Sequence, residues 1–158
     1  MLRLNRLTDY AVVVMVQLAR SGEVMTAQRL AERTSLPPPT VAKLLALLAK
    51  SGLAAAQRGA AGGYELGRAP EHISVADIIE TLEGPVALTA CVEGANHLCS
   101  LESVCAMRGH WDTVNAAIRR ALESVSLEAM ARAGDSFLVG ALGETRRSAE
   151  TASGETTP

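Results

Sequence analysis

Apolar residues follow a helical spacing near the N-terminus. They lie three or four positions apart, as one face of an amphipathic helix requires: Leu7, Ala11, Val14 and Leu18. This spacing predicts a first helix that begins at about Leu4 or Thr8 and runs to Arg20. The helix should end at Ser21 and Gly22, because glycine readily adopts the left-handed conformation found at helix C-termini.

Two further helices follow closely. Thr26 is suited to cap a helix over residues 27–34, and Pro38 and Pro39 suit the first turn of the next helix, which lacks N–H partners. The apolar face of this third helix should be buried: Val41, Leu44, Leu45 and Leu48. Its opposite face is the candidate DNA-reading surface: Thr40, Lys43, Leu47 and Lys50. Two short helices joined by a tight turn, the second with a basic face, are typical of helix-turn-helix DNA-binding proteins.

The segment after the third helix distinguishes this motif from a plain helical hairpin with solvated lysines. Residues 53–58 and 64–68 are predicted strands with a glycine-rich turn between them. A hairpin in this position is a wing. Glycine lets the tip approach a sugar-phosphate backbone, and flanking arginines can bind phosphate or the minor groove. The candidate DNA contacts of the wing are Arg58, Gly62 and Arg68.

A short helix should follow the wing, because Ser74 and Asp77 have the spacing of a capping box. The predicted fold is therefore mostly α, with a winged helix-turn-helix domain, a cysteine loop, a long C-terminal dimerisation helix and a tail. The tail lacks apolar periodicity and is expected to be disordered. The four predicted regions are, in order, 1–84, 85–106, 107–133 and 134–158.

The long helix is predicted from about Met107 to Ala133. Its apolar residues alternate spacings of three and four, as in a coiled-coil seam: Trp111, Val114, Ile118, Ala121 and Val125. Four polar residues should lie outside the seam: Asn115, Arg119, Arg120 and Glu123. The seam can dock on the chain's own core, but we favour a homodimer, because helix-turn-helix proteins commonly read two half-sites through a twofold axis.

Composition and charge agree with a helical DNA-binding protein. The chain has one Trp, one Phe and two Tyr among abundant Ala, Leu and Val, which favours helices over a β-sandwich. The net charge of −2 divides into +5 over residues 1–70 and −7 over residues 71–158, so the front half suits a polyanion such as double-stranded DNA. No apolar stretch is long enough to span a membrane. No paired acid and base indicate an enzyme.

Three cysteines, Cys91, Cys99 and Cys105, follow the pattern C-x7-C-x5-C directly before the long helix. An odd number of cysteines suits a reduced cytoplasmic metal site better than a secreted disulfide framework. Structural zinc sites usually contain closely paired cysteines, which are missing here, so the spacing favours an iron-sulfur cluster. A zinc clasp, a thiol switch and three inert cysteines remain the alternatives.

Four segments together resemble the IscR/NsrR family of iron-sulfur transcription regulators over residues 1–133, and most resemble regulators of SUF-type cluster assembly. The segments are Leu7-Thr8-Asp9-Tyr10-Ala11, Lys50-Ser51-Gly52-Leu53, Arg58-Gly59-Ala60-Ala61-Gly62-Gly63-Tyr64 and the three cysteines. The resemblance implies a dimeric regulator, expected to be a repressor, that senses iron-sulfur status or redox and nitric-oxide stress. Its cofactor would be a [2Fe–2S] or [4Fe–4S] cluster held by the three cysteines.

The resemblance leaves two candidates for a fourth cluster ligand. Family members use either a histidine shortly after the last cysteine or an acidic residue near the N-terminus. Arg108 occupies the position three after Cys105, so the histidine position is not matched, and His110 lies five residues on. Asp9 matches the acidic position, which in nitric-oxide-sensing relatives belongs to the partner subunit. Asp9 is therefore favoured over His110.

Overall fold

The computed structural model describes residues 3–59, 61–89, 92 and 109–133. The predicted tail, 134–158, lies outside the described residues. The elements confirm a mostly helical winged-helix fold, and in chain order they are α1 (Arg6–Ser21), α2 (Ala27–Thr34), α3 (Pro38–Lys50), β1 (Ala54–Gln57), β2 (Gly63–Leu66), a 3-10 turn (Pro70–His72), α4 (Val75–Glu83) and α5 (His110–Glu123).

The first three helices surround one apolar core. The four residues predicted for the buried face of α3 are all fully buried, and they pack with apolar side chains of α1 and α2: Ala11, Val14, Met15, Leu18 and Leu30. Thr26 caps α2 as predicted, accepting a hydrogen bond at Oγ1 from the Arg29 N–H at 3.1 Å. Asn5 caps α1, accepting from the Thr8 N–H at 2.9 Å. The caps satisfy N–H groups that have no partner within the helix.

The wing is an antiparallel pair in which Ala54 lies opposite Leu66 and Gln57 lies opposite Gly63. Its second strand is also tied to the body of the domain. Tyr64 exchanges two backbone hydrogen bonds with Met25, at 2.7 and 2.8 Å, directly before α2. The wing therefore holds a defined position beside the helix-turn-helix.

The predicted capping box of α4 is present. The Ser74 N–H donates to Asp77 Oδ2 at 2.8 Å, and the Asp77 N–H donates to Ser74 Oγ at 3.1 Å. This reciprocal pair satisfies two N–H groups at the helix start.

The prediction of one long helix reaching Ala133 is wrong, because α5 ends at Glu123 and a new helical segment occupies residues 127–133. The break is stabilised by tertiary hydrogen bonds. The Val75 N–H donates to the Val125 carbonyl at 2.9 Å, and the Leu127 N–H donates to the Ile73 carbonyl at 2.7 Å. Leu127 is fully buried in the winged-helix core, so burial and hydrogen bonding outweigh the local tendency to continue the helix.

Asn115, predicted only to lie outside the seam, is buried, since its residue is 8% exposed. The α5 face that contains Asn115 packs toward α4, where Arg119 pairs with Glu80 at 3.1 Å. Within the described residues, no helix is long and apolar enough to cross a membrane.

Candidate nucleic-acid interface and cysteine loop

The outward face of α3 carries the predicted DNA-reading residues. Lys43 and Lys50 are exposed, whereas Thr40 is half-buried. Leu47 lies on the same face and is 37% exposed. Because the opposite face of α3 is fixed in the core, this face is held toward solvent in one orientation, as a recognition helix requires.

At the wing, Arg58 is exposed directly after β1. Gly62 has a steric role in the turn, because a Cβ there would lie 2.5 Å from the Gln57 carbonyl oxygen and 2.8 Å from that of Gly59. The Gly62 N–H also donates to the Gly59 carbonyl at 3.0 Å. Any larger residue would therefore disturb the hairpin that carries Arg58.

Arg68 lies differently from Arg58, since its guanidinium pairs with Asp77 Oδ1 at 3.3 Å. Partial burial raises the pKa of Asp77, but hydrogen bonds from Ser74 and the charge of Arg68 outweigh it and hold that pKa below its usual value. Both side chains remain substantially exposed. Arg68 thus links the end of the wing to the start of α4, and a phosphate would have to compete with Asp77 for it.

Two cations on α2 were not predicted from the sequence. Arg29 and Arg33 are exposed one turn apart on the helix that precedes α3. In helix-turn-helix proteins the first helix of the motif crosses the DNA backbone, which makes these side chains candidate phosphate contacts. Their i, i+4 spacing on a helix packed against the recognition helix was the available signal.

Cys91, Cys99 and Cys105 lie outside the described residues, and of their loop the structure describes residues 85–89 and Val92. There Asn115 of α5 holds the backbone with two hydrogen bonds. Its Nδ2 donates to the Val86 carbonyl at 2.8 Å, and its Oδ1 accepts from the Leu88 N–H at 3.0 Å. The loop therefore leaves α4 along a path set by the inward face of α5.

The first turn of α1 adjoins the same region. Glu83, the last residue of α4, accepts hydrogen bonds at Oε1 from Thr8 Oγ1 at 2.6 Å and from the Asn5 N–H at 3.1 Å. Asp9 follows the buried Thr8 and is itself exposed. The structure thus brings the Asp9 end of α1 to the point where the cysteine loop begins.

His110 lies at the start of α5, after Gly109 in a left-handed conformation with φ 77°. In the described part of the chain, no three His, Cys, Asp or Glu side chains converge on a metal-sized site. A cavity of about 490 Å³ separates the N-terminal residues from the loop start and α5, and its lining includes Leu4, Val86, Leu88, Ile118 and Leu122.

The outward face of α5 is apolar, and its residues are exposed in the part of the chain that the structure describes. Trp111 is 38% exposed, Val114 is 43% exposed and Val125, just beyond the helix, is 40% exposed. Ala121 is exposed as well, and only Ile118 of the predicted seam is half-buried. Most of the seam therefore does not dock on the core of its own subunit.

Comparison with known proteins identifies relatives along nearly the whole described chain. The model of the Rrf2 family, described as iron-dependent transcriptional regulators, matches residues 4–133. CymR of Bacillus subtilis is 32% identical over 124 residues, which cover 77% of this chain and 84% of CymR. NsrR of Bacillus subtilis is 28% identical over 109 residues, covering 68% of this chain and 75% of NsrR.

Solved structures show the same relationship. The structure of CymR, the global cysteine regulator of B. subtilis, superposes with a TM-score of 0.68 at 29% identity, covering 84% of this chain and 98% of CymR. IscR of T. potens superposes with a TM-score of 0.64 at 30% identity, covering 84% of this chain and 88% of IscR. The extent of the family match, together with the winged-helix geometry, shows that this chain belongs to the Rrf2 family of transcriptional regulators.

Proposed function

We propose that this chain is a homodimeric cytoplasmic repressor that binds a double-stranded DNA operator and senses iron-sulfur status, or redox and nitric-oxide stress, through an iron-sulfur cluster. Its targets would be genes of SUF-type cluster assembly. The observation that carries the proposal is the position of the three-cysteine segment, which joins a winged helix-turn-helix to the apolar helix α5 in an Rrf2-family chain.

Cys91, Cys99 and Cys105 would hold the cluster as thiolates, and Asp9 of the partner subunit would be the fourth ligand, with His110 as the alternative. Three thiolates suit either a [2Fe–2S] or a [4Fe–4S] cluster, which supplies a centre that reacts with oxidants and nitric oxide. The exposure of Asp9 beside the loop start supports its assignment. A single oxygen ligand would also make the cluster comparatively labile.

On DNA, Thr40 and Lys43 would reach base edges in the major groove. Lys50, Arg58 and the tip at Gly62 would contact the backbone, and Arg68 would join them if DNA displaces Asp77. Phosphate contacts of this kind provide much of the affinity and make binding salt-dependent.

A second copy of the chain would cover the exposed seam on α5. Trp111, Val114 and Val125 form an apolar surface that a soluble monomer would leave in water at a cost in free energy. A twofold dimer built on α5 would present two α3 helices to two half-sites. The distance between the half-sites is set by the DNA helix, so the two α3 helices must match it.

The signal would pass from the cysteine loop to DNA through the contacts at its beginning. Asn115 ties that segment to α5, and Glu83 ties it to the start of α1. A change in the loop would therefore alter how the two subunits are joined and how far apart the two α3 helices lie. Coupling of this kind typically changes affinity by about 1–3 kcal/mol.

A second candidate function is a winged-helix repressor whose cysteine loop is a zinc site or a thiol switch, without a cluster. The similarity to CymR, described as a cysteine regulator, favours this alternative. Both candidates bind DNA, so the chemistry of the three cysteines must separate them.

Anaerobic purification, followed by a visible spectrum and assays of iron, sulfide and zinc, distinguishes the two candidate functions. Wild type is compared with Cys99→Ser and with Ser103→Ala, a control in the same loop. The cluster predicts a brown protein with matching iron and sulfide, lost in Cys99→Ser and retained in Ser103→Ala.

Colourless protein that takes up no cluster on reconstitution, yet binds DNA as a dimer, would contradict the cluster proposal and support the alternative. If a cluster forms, Asp9→Ala and His110→Ala identify the fourth ligand. The true ligand is the one whose loss changes the spectrum and speeds decay of the visible absorbance in air.

A further inference from the structure

The exposed face of α3 is unusual for a DNA-reading helix because its side chains are mostly small and apolar. Seven residues of the helix are exposed: Pro38, Pro39, Ala42, Lys43, Ala46, Leu47 and Lys50. They recur three and four positions apart and form one stripe opposite the buried face. Among them only the two lysines are polar.

The residue types that most specifically read adenine and cytosine by hydrogen bonds, Asn, Gln, Asp and Glu, are missing from α3. Asn and Gln pair with adenine, Asp and Glu accept from cytosine, and Arg or Lys pairs with guanine. The helix contains no Asn, Gln, Asp, Glu or Arg, and its polar residues are Thr40, Lys43 and Lys50. Thr40 is half-buried, and Lys50 lies at the last residue of the helix. Lys43 is therefore the one well-placed guanine reader on α3.

The start of α3 also offers no backbone donor to phosphate. Pro37, Pro38 and Pro39 lack an N–H group. The N–H groups of Thr40 and Val41 both donate to the Pro37 carbonyl, at 2.9 and 3.1 Å. Helix N-termini commonly bind phosphate through free N–H groups, so this end is instead suited to close apolar contact.

We propose that α3 reads its operator through thymine methyl groups, with Ala42 and Ala46 contacting methyls in the major groove and Lys43 contacting guanine. This inference rests on the proposed function, because it requires α3 to lie in the groove. Because the apolar stripe contains two exposed lysines, its charge favours a polyanion as the binding partner over another protein surface. Thymine is the one base whose major-groove edge carries a methyl group.

The test begins with selection of bound duplexes from a random DNA library by the full-length protein. In the selected duplex that binds most tightly, each thymidine is replaced in turn by deoxyuridine, which lacks the methyl group and keeps the hydrogen-bonding pattern. Dissociation constants are measured by fluorescence anisotropy at one salt concentration. Removal of a contacted methyl group should raise the dissociation constant about fourfold, which corresponds to the usual free energy of burying a methylene-sized group. Thymines outside the half-sites are the control.

The protein side of the contact is tested with Ala42→Gly. For this variant, deoxyuridine at the position that Ala42 contacts should cause no further loss, while the losses at other contacted thymines remain. The comparison uses the thymine-to-uracil affinity ratio of the same variant, so the lower helix propensity of glycine cancels. Ala42→Gln provides a second variant, which should gain a preference for adenine at the position opposite it.

Two outcomes would overturn the inference, and they differ in what they leave standing. A selected operator that binds equally well with thymine or deoxyuridine throughout would overturn thymine reading and leave the DNA-binding regulator intact. Selection that yields no shared sequence, with binding that depends only on salt, would overturn sequence-specific regulation and thymine reading together.

Discussion

The outward faces of α3 and α5 are both apolar, but they differ in the size of their side chains and in the charges around them. On α3 the apolar residues are small, Ala42 and Ala46 among them, and exposed lysines lie in the same stripe. On α5 they include Trp111 and Val114. A nearby cation on α5, Arg119, is neutralised by carboxylates at 3.1 Å.

Exposed apolar surface alone therefore does not identify a partner. Small side chains flanked by positive charge allow close approach to a polyanion, whereas large side chains with balanced charge bury most area against another apolar surface. We therefore propose that the α3 face binds DNA and that the α5 face binds a second copy of the chain. Five substitutions test this assignment and the contacts around it, and their expected effects decrease from Val114→Asp to Asp77→Asn.

The largest effect is expected for Val114→Asp. If a second copy covers Val114, the introduced carboxylate loses its water without gaining a partner, at a cost of about 3–5 kcal/mol. The dissociation constant of the dimer should rise more than about 100-fold, a change that sedimentation velocity at micromolar protein would detect. Thr113→Asp introduces the same charge on a neighbouring exposed residue of α5 and should leave the dimer intact. A stable Val114→Asp dimer would show that another surface joins the subunits.

Asn115→Leu tests the inward face of α5 separately from the outward one. The substitution leaves the Leu88 N–H and the Val86 carbonyl without their partner, at about 1–3 kcal/mol for a buried group. Chemical denaturation should show reduced stability, while sedimentation still shows a dimer. Thr113→Leu is the control for an added apolar residue on α5. Unchanged stability of Asn115→Leu would mean that the loop start does not depend on this contact.

Arg58→Ala and Arg68→Ala compare two arginines of the wing. Arg58 should contact phosphate, so its loss should reduce the slope of log affinity against log salt by about one. Arg68→Ala should change the slope less, because Arg68 already pairs with Asp77. Arg132→Ala removes an exposed cation of the C-terminal helical segment as a control. Equal effects of the two wing substitutions would show that DNA displaces Asp77 from Arg68.

The smallest effect is expected for Asp77→Asn, and it should depend on pH. The folded-state pKa of Asp77 lies below the ordinary 3.8, so the charged carboxylate stabilises the fold above that pH. The contribution is at most about 1 kcal/mol, because the ion pair is partly exposed and screened. Urea unfolding should show a less stable variant at pH 6. The two proteins should converge as pH falls through the folded-state pKa of Asp77, and a constant difference down to pH 3 would contradict this origin.

Local patterns in the sequence predicted the helix-turn-helix, the wing and the capping box. Thr26 caps α2 and Ser74 caps α4 through residues three positions away, so their roles can be recognised from spacing. The buried face of α3 was likewise predicted from periodicity. The end of α5 was missed, although Ser126 accepts a hydrogen bond from the Ala129 N–H at 3.2 Å and so begins the next helical segment.

The candidate site was predicted less completely than the fold. The exposed positions of Lys43, Lys50 and Arg58 agree with their proposed roles, whereas the ion pair of Arg68 joins residues that no spacing rule connects. Arg29 and Arg33 were not predicted as phosphate contacts, because that role depends on how α2 packs beside the recognition helix and not on their spacing alone. The roles of the three cysteines and Asp9 stay predictions that the spectroscopic and variant experiments address.

The order of the helices, the wing and the buried faces follow from the sequence alone, because each depends on residues within about one or two helical turns. Tertiary structure decided the rest. The burial of Asn115 and the link from Thr8 to Glu83 depend on hydrogen bonds between residues 27 to 75 positions apart. The break after α5 depends on strand-like pairing of residues 73–75 with residues 125–127. Such contacts form only when the core brings distant backbone groups together, and an unpaired buried polar group then costs more than a local preference can offset.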